Sequence, residues 1–90
     1  MIHDLKTWPV YFEEICKGRK KFELRKNDRG FGYGHTLMLH EYDPYMGYYT
    51  GRIIQAEVTY ITDAGLFLQP GYVCMSIKVI GGWGGCKIGL

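Results

Sequence analysis

The segment between Gly18 and Arg25 holds the residues of this chain best suited to bind an anion or a base. Glu23 and Arg25 are two positions apart, so on a strand their side chains project from the same face. There they can form an ion pair that holds the guanidinium flat, with its remaining N–H groups directed outward. Such a group suits a phosphate or a base edge, and Lys20 adds a movable positive charge. The alternative is an exposed ion pair that has no function and contributes little to stability.

Positive charge is concentrated around this segment. The stretch from Lys17 to Arg29 holds seven basic residues and two acidic ones, although the net charge of the 90-residue chain is only +2. This block favours a phosphate-rich partner, and we expect Lys21, Lys26 and Arg29 to attract phosphate groups. A solvated face without a partner has the same pattern, so charge alone leaves both interpretations open.

Length and composition limit the kinds of protein this chain can be. Ninety residues form one domain with a small core, which excludes a two-domain cleft enzyme of the dehydrogenase or kinase type. Hydrophobic residues make up 47% of the chain and charged residues 22%, which is typical of globular proteins and excludes general disorder.

The cysteines and the chain start predict the compartment. Cys16, Cys74 and Cys86 form no CxxC pair and leave one thiol unpaired, which predicts neither a disulfide framework nor a zinc site. A reducing compartment fits this usage. The first residues lack the apolar segment of a signal peptide, and no run is long enough to span a membrane. We therefore expect a cytoplasmic protein with no membrane contact, no metal and no other cofactor.

One short helix is predicted near the N-terminus. It begins at Thr7-Trp8-Pro9, because proline fits the first helical turn, and it ends at Gly18. Four apolar residues recur at helical spacing and form the face expected to pack inward: Trp8, Phe12, Ile15 and Cys16.

Alternating polarity predicts about five short strands. Their expected ranges are Ile2 to Lys6, Lys21 to Lys26, Thr36 to Tyr42, Tyr49 to Thr62 and Tyr72 to Ile80. In the second strand Phe22 and Leu24 are expected on one face, with Lys21, Glu23 and Arg25 on the other. In the fourth, Tyr60 is assigned to the same face as Val58. The predicted fold is α+β and mostly β, a small barrel with one N-terminal helix. It spans residues 1–80, and the glycine-rich residues 81–90 are expected to form a flexible tail.

Several of these residues match a known pattern. Gly18, Lys20, Glu23 and Arg25 resemble the GxKxxExR signature of ASCH domains, which are similar to the RNA-binding PUA fold. A wider set of segments resembles a bacterial and phage subgroup of these domains, the DUF3850 family, over residues 3–79. These segments are His3-Asp4-Leu5-Lys6, Tyr11-Phe12, Gly18 to Arg29, Glu41-Tyr42-Asp43, Tyr49-Thr50-Gly51-Arg52 and Pro70-Gly71-Tyr72-Val73. In this chain Gly34-His35 replaces the usual Gly-Asp, and we interpret His35 as a surface turn residue without a role.

The resemblance implies a β-barrel with a cleft lined by the signature residues, and for the superfamily it implies binding of RNA or a modified nucleotide. We therefore predict a binding module for RNA, mainly single-stranded, or for a nucleotide-like small molecule. The expected contact residues are Lys20, Glu23, Arg25, Lys21, Lys26, Arg29, His3 and Tyr42. Tyr42, Tyr45, Tyr48 and Tyr49 cluster at one hairpin, the tyrosine hairpin, where their rings can stack on unpaired bases or simply cover the barrel end.

Two other functions stay open. Some ASCH proteins resemble small hydrolases that remove an acyl group from a modified cytosine, and others cleave RNA. In either activity Lys20 would be the base or nucleophile. Those acyl hydrolases resemble GxKxxTxR, with threonine at the position of Glu23, so the resemblance favours binding without turnover and no catalytic residue is assigned. The second alternative is a protein-interaction module that uses the tyrosine hairpin or the glycine-rich end.

Overall fold

Strand-forming alternation and one proline-initiated helix produce a five-stranded sheet with a helix beside it. The computed structural model describes residues 1–63 and 65–85. Its elements are β1 (Ile2–Thr7), α1 (Pro9–Cys16), β2 (Phe22–Lys26), β3 (Thr36–Asp43), β4 (Tyr48–Thr62) and β5 (Tyr72–Trp83), with a 3-10 turn at Gly65–Phe67. The strands form one mixed sheet in the order β1-β3-β4-β5-β2, curled into a half-barrel. The predicted mostly-β class with one short helix is confirmed.

Helix α1 begins and ends where the sequence predicts. Pro9 occupies the first helical position, and Gly18 follows the helix with a φ of 75°, a left-handed conformation that glycine adopts without strain. Phe12 and Ile15 are buried against the sheet. The prediction for Trp8 is wrong, because it precedes the first turn and its side chain is 49% exposed.

The cysteine prediction is also wrong in one respect. Cys16 is buried at the end of α1 and is disulfide-bonded, whereas Cys74 is a free thiol. Counting cysteines and searching for CxxC pairs cannot detect a single disulfide. The argument from cysteines for a reducing compartment therefore does not hold.

The core lies on the inner face of the half-barrel, against α1. Its largest fully buried side chains are Phe12, Ile15, Leu37, Leu39, Ile54, Val58 and Met75. The sequence-based assignment of Tyr60 to this face is wrong, because Tyr60 is 53% exposed. A register shift between Val58 and Tyr60 inserts a residue into β4, so the alternation reverses and Ile61 packs on the core instead.

The alternation predicted for β2 is present, and the charged face is the inner one. Phe22 and Leu24 are 43% and 53% exposed, whereas Glu23 is only 3% exposed and Arg25 is half-buried. Charged residues can turn inward here because Glu23 is paired with Lys20 and Arg25, and Arg25 meets acceptors from β1.

Strand β5 continues beyond the predicted domain end. Gly81, Gly82 and Trp83 pair with residues of β4, from Gln55 back to Ile53. Their backbone hydrogen bonds place these glycines in the sheet, where a missing side chain is tolerated. The expectation of a flexible tail does not apply to these three residues, and residues 86–90 lie outside the described part of the chain.

The two ends of the sheet come together without a backbone ladder. β1 and β2 are its edge strands, and two arginine side chains connect them. Arg25 Nη2 donates to the carbonyl of Lys6 at 2.9 Å, and Arg29 Nη1 donates to the carbonyl of Asp4 at 2.9 Å. We call this junction of β1 with β2 and its following loop the seam. Because side chains rather than backbone groups close it, the seam leaves open space beside them.

Candidate functional site

A buried carboxylate organises the seam. Glu23 Oε1 accepts a hydrogen bond from Lys20 Nζ at 2.7 Å, and Oε2 accepts one from Arg25 Nε at 2.8 Å. Lys20 Nζ also donates to the carbonyl of Phe22 at 2.6 Å. A carboxylate removed from water needs such charged partners, so the three side chains form one unit rather than an exposed ion pair. We call Lys20, Glu23 and Arg25 the Glu23 cluster.

The guanidinium of Arg25 is held in place through two of its three nitrogens. Besides Glu23 and the Lys6 carbonyl, it contacts Thr7 Oγ1 through Nη2 at 3.3 Å. These contacts use Nε and Nη2. Nη1 has no hydrogen-bond partner among residues 1–63 and 65–85, and the side chain is 25% exposed. The guanidinium is therefore fixed in orientation with two N–H groups available for a ligand.

One cleft of about 880 Å³ lies on the α1 side of the seam. Four aromatic residues contribute to its wall, so we call it the aromatic cleft: Trp8, Tyr11, Phe22 and Tyr72. The rings of Trp8 and Tyr11 lie nearly parallel, with centroids 6.5 Å apart and 22° between planes. Thr7 and the whole Glu23 cluster also line this cleft. It offers flat apolar surface next to fixed polar groups.

A second cleft, of about 660 Å³, lies on the other side of Arg25. Arg25, Arg29 and Lys6 supply its positive charge, so we call it the basic cleft. Asp4, His40 and Tyr49 complete its polar wall, and Asp4 Oδ1 lies 2.9 Å from His40 Nε2. Lys6 and Arg25 line both clefts. The two spaces therefore form adjacent parts of one surface.

Five of the eight sequence-predicted site residues lie at or beside the seam. Lys20, Glu23 and Arg25 meet as expected, and Arg29 lines the basic cleft. The ring of Tyr42 lies beneath Lys6 Nζ, with 4.4 Å between the nitrogen and the ring centroid.

The other three predicted residues lie elsewhere. Lys21 and Lys26 are exposed and line neither cleft, and the edge position of β2 leaves them in solvent. His3 is 4% exposed, with its ring edge-on to Phe31 and its Nε2 3.0 Å from His35 Nδ1. Burial, followed by the nearby charge of His35, lowers the pKa of His3. The interpretation of His35 as a turn residue without a role is therefore wrong, because it contacts a buried histidine.

Sequence reasoning did not find several residues that line the clefts: Lys6, Thr7, Trp8, Tyr11 and His40. It considered Tyr49 only as a member of the tyrosine cluster and did not assign it to the site. Lys6 and Thr7 reach Arg25 only because the first and second strands of the chain are opposite edges of the sheet. That strand order has no local signature. For Trp8 and Tyr11, an aromatic pair flanking a helix start next to the charged segment was a usable signal.

A second buried carboxylate lies away from the clefts. Glu41 accepts hydrogen bonds from Thr50 Oγ1 at 2.6 Å, from Arg52 Nε at 2.8 Å and from Arg52 Nη2 at 2.7 Å. Arg52 also donates to Glu13 of α1 at 3.0 Å and covers the ring of Phe12 at 5.0 Å. We call these residues the Glu41 cluster. The hydrogen bonds from Arg52 lower the pKa of Glu41, and the carboxylate raises that of Arg52.

Within the described ranges, no group of three or more His, Cys, Asp and Glu side chains is arranged to hold a metal ion. In the same part of the chain, no helix has the length and hydrophobicity required to cross a membrane.

Comparison with known proteins assigns the family. The model of the family described as a domain of unknown function, DUF3850, matches residues 2–77. This chain belongs to the DUF3850 family. It is also 40% identical over 68 residues to an uncharacterized 12.9 kDa protein in the GpA 3' region of Escherichia phage P2. That similarity covers 76% of this chain and 61% of the phage protein, so the chain spans less than two thirds of that relative's length. The DUF3850 match includes both edges of the seam and both clefts.

Proposed function

We propose that the seam of this DUF3850 domain binds single-stranded RNA or a nucleotide-like ligand. A base would lie in the aromatic cleft, and its phosphate would lie next to Arg25 and Lys6. The observation that carries the proposal is the position of Arg25, a fixed guanidinium between an aromatic cleft and a basic one. An unpaired nucleotide matches this arrangement, because it carries a base with a flat apolar face close to a phosphate anion.

The aromatic cleft suits a base. Trp8 and Tyr11 are 49% and 50% exposed, although aromatic side chains of this size are normally well covered. Stacking of a base on such a ring contributes about 1–3 kcal/mol per base and does not require one particular base. Arg25 lines the same cleft, and the N–H groups of its Nη1 can donate to a base edge.

The charge at the seam suits a phosphate. Glu23 is enclosed by Lys20 and Arg25 and is only 3% exposed, so its negative charge faces its partners rather than the solvent. Lys6 carries an ammonium with no carboxylate partner among the described residues, and it lies over the Tyr42 ring. The potential at the junction of the clefts is therefore positive, as phosphate binding requires.

We further propose that this half-barrel is an ASCH domain of the PUA-like type. Support comes from the location of the GxKxxExR residues, since Lys20, Glu23 and Arg25 are the polar centre of the cleft. All three charged residues of the signature on which the resemblance rests are thus part of the cleft wall.

The contacts of Lys20 favour binding over hydrolysis. Its Nζ donates to a carboxylate oxygen at 2.7 Å and to a carbonyl oxygen at 2.6 Å, and the side chain is only 16% exposed. A nucleophile or base must instead direct a lone pair at the substrate. We therefore propose ligand binding without acyl transfer.

Fluorescence anisotropy with labelled single-stranded RNA, the matching duplex and single-stranded DNA tests this function. We expect the single strand to bind more tightly than the duplex, because the deep groove of A-form RNA excludes side chains. Raising the salt from 50 to 200 mM should weaken binding by about tenfold or more. Lys6→Ala should reduce affinity. The matched control is Lys78→Ala, which removes an exposed lysine of β5 outside both clefts. No binding at low salt, or equal effects of the two variants, would contradict the proposal.

A further inference from the structure

Building on the proposed function, we infer that the ligand is a strand of at least two nucleotides rather than one. The basic cleft takes the second nucleotide, whose base stacks on the ring of Tyr49. Arg29 and Lys6 lie beside the connecting phosphates. If only one nucleotide bound, the aromatic cleft with Arg25 and Lys6 would suffice, and the rest of the basic cleft, with Arg29 and Tyr49, would have no part in binding.

The two clefts are continuous. Lys6 and Arg25 belong to the walls of both, so a ligand that leaves the aromatic cleft past Arg25 enters the basic cleft directly. The basic cleft has a volume of about 660 Å³, within the range of about 300–1,000 Å³ seen for small-molecule sites. The space is therefore sufficient for one further nucleotide.

Tyr49 provides a fixed ring with surface to spare. Its ring meets that of Tyr42 at a centroid distance of 5.0 Å and an angle of 66°, and that of His40 at 6.2 Å and 78°. Both contacts are edge-to-face, which restrains the ring without stacking a partner parallel to it. Tyr49 is 54% exposed. A ring that is oriented by its neighbours and still half open is suited to stack on a base.

The register of the sheet determines where the ring of Tyr49 lies. Tyr42 of β3 pairs with Tyr49 of β4, after a register shift between His40 and Tyr42. Lys6 of β1 pairs with His40 of β3. Neighbouring residues of three strands therefore bring a cation, an imidazole and the phenol ring of Tyr49 to the wall of one cleft, with the Tyr42 ring beside it.

Charge in the basic cleft also favours a phosphate. Three cationic side chains line it against the single carboxylate of Asp4, which already contacts His40 at 2.9 Å. Arg29 is anchored through Nη1 to the Asp4 carbonyl, and its side chain is 49% exposed. It is therefore held at the seam with N–H groups open to solvent.

Calorimetric titration with adenosine monophosphate and with diadenylate tests the inference. We expect diadenylate to bind about tenfold more tightly, the effect of one additional stacked base. Tyr49→Ala should abolish that difference and leave the affinity for the monophosphate within twofold. The matched control is Tyr60→Ala, since Tyr60 is 53% exposed on β4 and lines neither cleft. It should preserve the difference.

A second variant keeps the test decisive if Tyr49→Ala does not fold. Arg29→Gln should weaken diadenylate binding and reduce its salt dependence by about one released ion. Equal affinities of the wild-type protein for the two ligands, or an unchanged diadenylate affinity in both variants, would overturn the second subsite alone. If the unmodified protein bound neither ligand, the proposed function itself would be refuted.

Discussion

The Glu23 and Glu41 clusters have the same chemistry in two regions of the molecule. Each contains a glutamate whose side chain is 4% exposed and an arginine that holds it. The two arginines are equally accessible, with Arg25 25% exposed and Arg52 26% exposed. Composition and burial therefore do not distinguish them.

Their surroundings do distinguish them. Arg52 donates to Glu41 twice and to Glu13 once, and it covers the ring of Phe12, so it connects α1 to the sheet. Arg25 donates to Glu23 and to two groups of β1 across the seam, and it lines both clefts. We propose that a buried arginine–glutamate pair is structural where it joins packed elements and binds a ligand where it borders open space. The predictions below test this distinction.

Removal of Arg52 should have the largest effect. Arg52→Ala leaves the buried Glu41 carboxylate with Thr50 as its remaining partner, which we expect to lower the free energy of unfolding by about 3 kcal/mol. For a domain of this size the melting temperature should fall by roughly 15 °C. Thermal unfolding followed by circular dichroism measures this, and ligand affinity below the transition should be unchanged. An unaltered melting temperature would remove the structural role assigned to the Glu41 cluster.

Trp8→Ala should show the opposite pattern. The ring is 49% exposed and its position at the start of α1 provides no side-chain cap, so stability should change by less than about 0.5 kcal/mol. Loss of one stacking surface should weaken binding of single-stranded RNA by about tenfold. Anisotropy titrations of Trp8→Ala and Tyr60→Ala compare a cleft ring with an exposed ring elsewhere. Equal affinities of the two variants for RNA would show that the aromatic cleft is not part of the binding site.

Acid should weaken the stabilisation that the Glu41 carboxylate provides. The pKa of Glu41 is lowered from its usual 4.5, so below pH 4.5 the unfolded chain binds this proton before the folded one does. The stabilisation is fully present above pH 4.5 and is lost as the pH falls through the folded pKa. Its slope is at most about 1.4 kcal/mol per pH unit. Urea unfolding between pH 3 and pH 5 should show a shallower pH dependence for Glu41→Gln than for the parent. If the free energy of unfolding changed with pH in the same way in both proteins, this stabilisation could not be assigned to Glu41.

The smallest expected effect is the absence of turnover. Incubation with N4-acetylcytidine should release no cytidine, because Glu23 and a carbonyl oxygen engage the ammonium of Lys20. Chromatography of the reaction measures the product. Turnover that disappears in Lys20→Ala would replace binding by hydrolysis as the function of this cluster.

Local patterns in the sequence were enough to predict most of the elements. The proline at the helix start, the glycine at its end and the alternation of the strands each act within a few residues. The errors lie at residues whose burial depends on contacts with residues far away in the sequence. Glu23 is buried although it is charged, because Lys20 approaches from the preceding loop and Arg25 is anchored by the carbonyl of Lys6. A polarity rule cannot anticipate this.

The same limit applies to the site. The charged trio was predicted from its spacing in one segment, but the residues that complete the clefts come from β1, β3 and β4. His40 and Tyr49 approach the seam only through the sheet order and a register shift. Burial of Glu23 also changes the expected energetics. An exposed pair would contribute little, whereas loss of a charged partner from this buried carboxylate should cost about 1–3 kcal/mol.

The central claim is that Arg25, and not the equally buried Arg52, contacts the ligand. Titration of single-stranded RNA into Arg25→Lys and Arg52→Lys at low salt tests it directly, because both variants keep the net charge and lose the planar guanidinium. We predict that Arg25→Lys weakens binding by about tenfold or more, since a guanidinium contact of this type contributes about 1–3 kcal/mol. Arg52→Lys should bind within twofold of the parent while unfolding at a lower temperature. Parental affinity in Arg25→Lys, or an equal loss in both variants, would contradict the account.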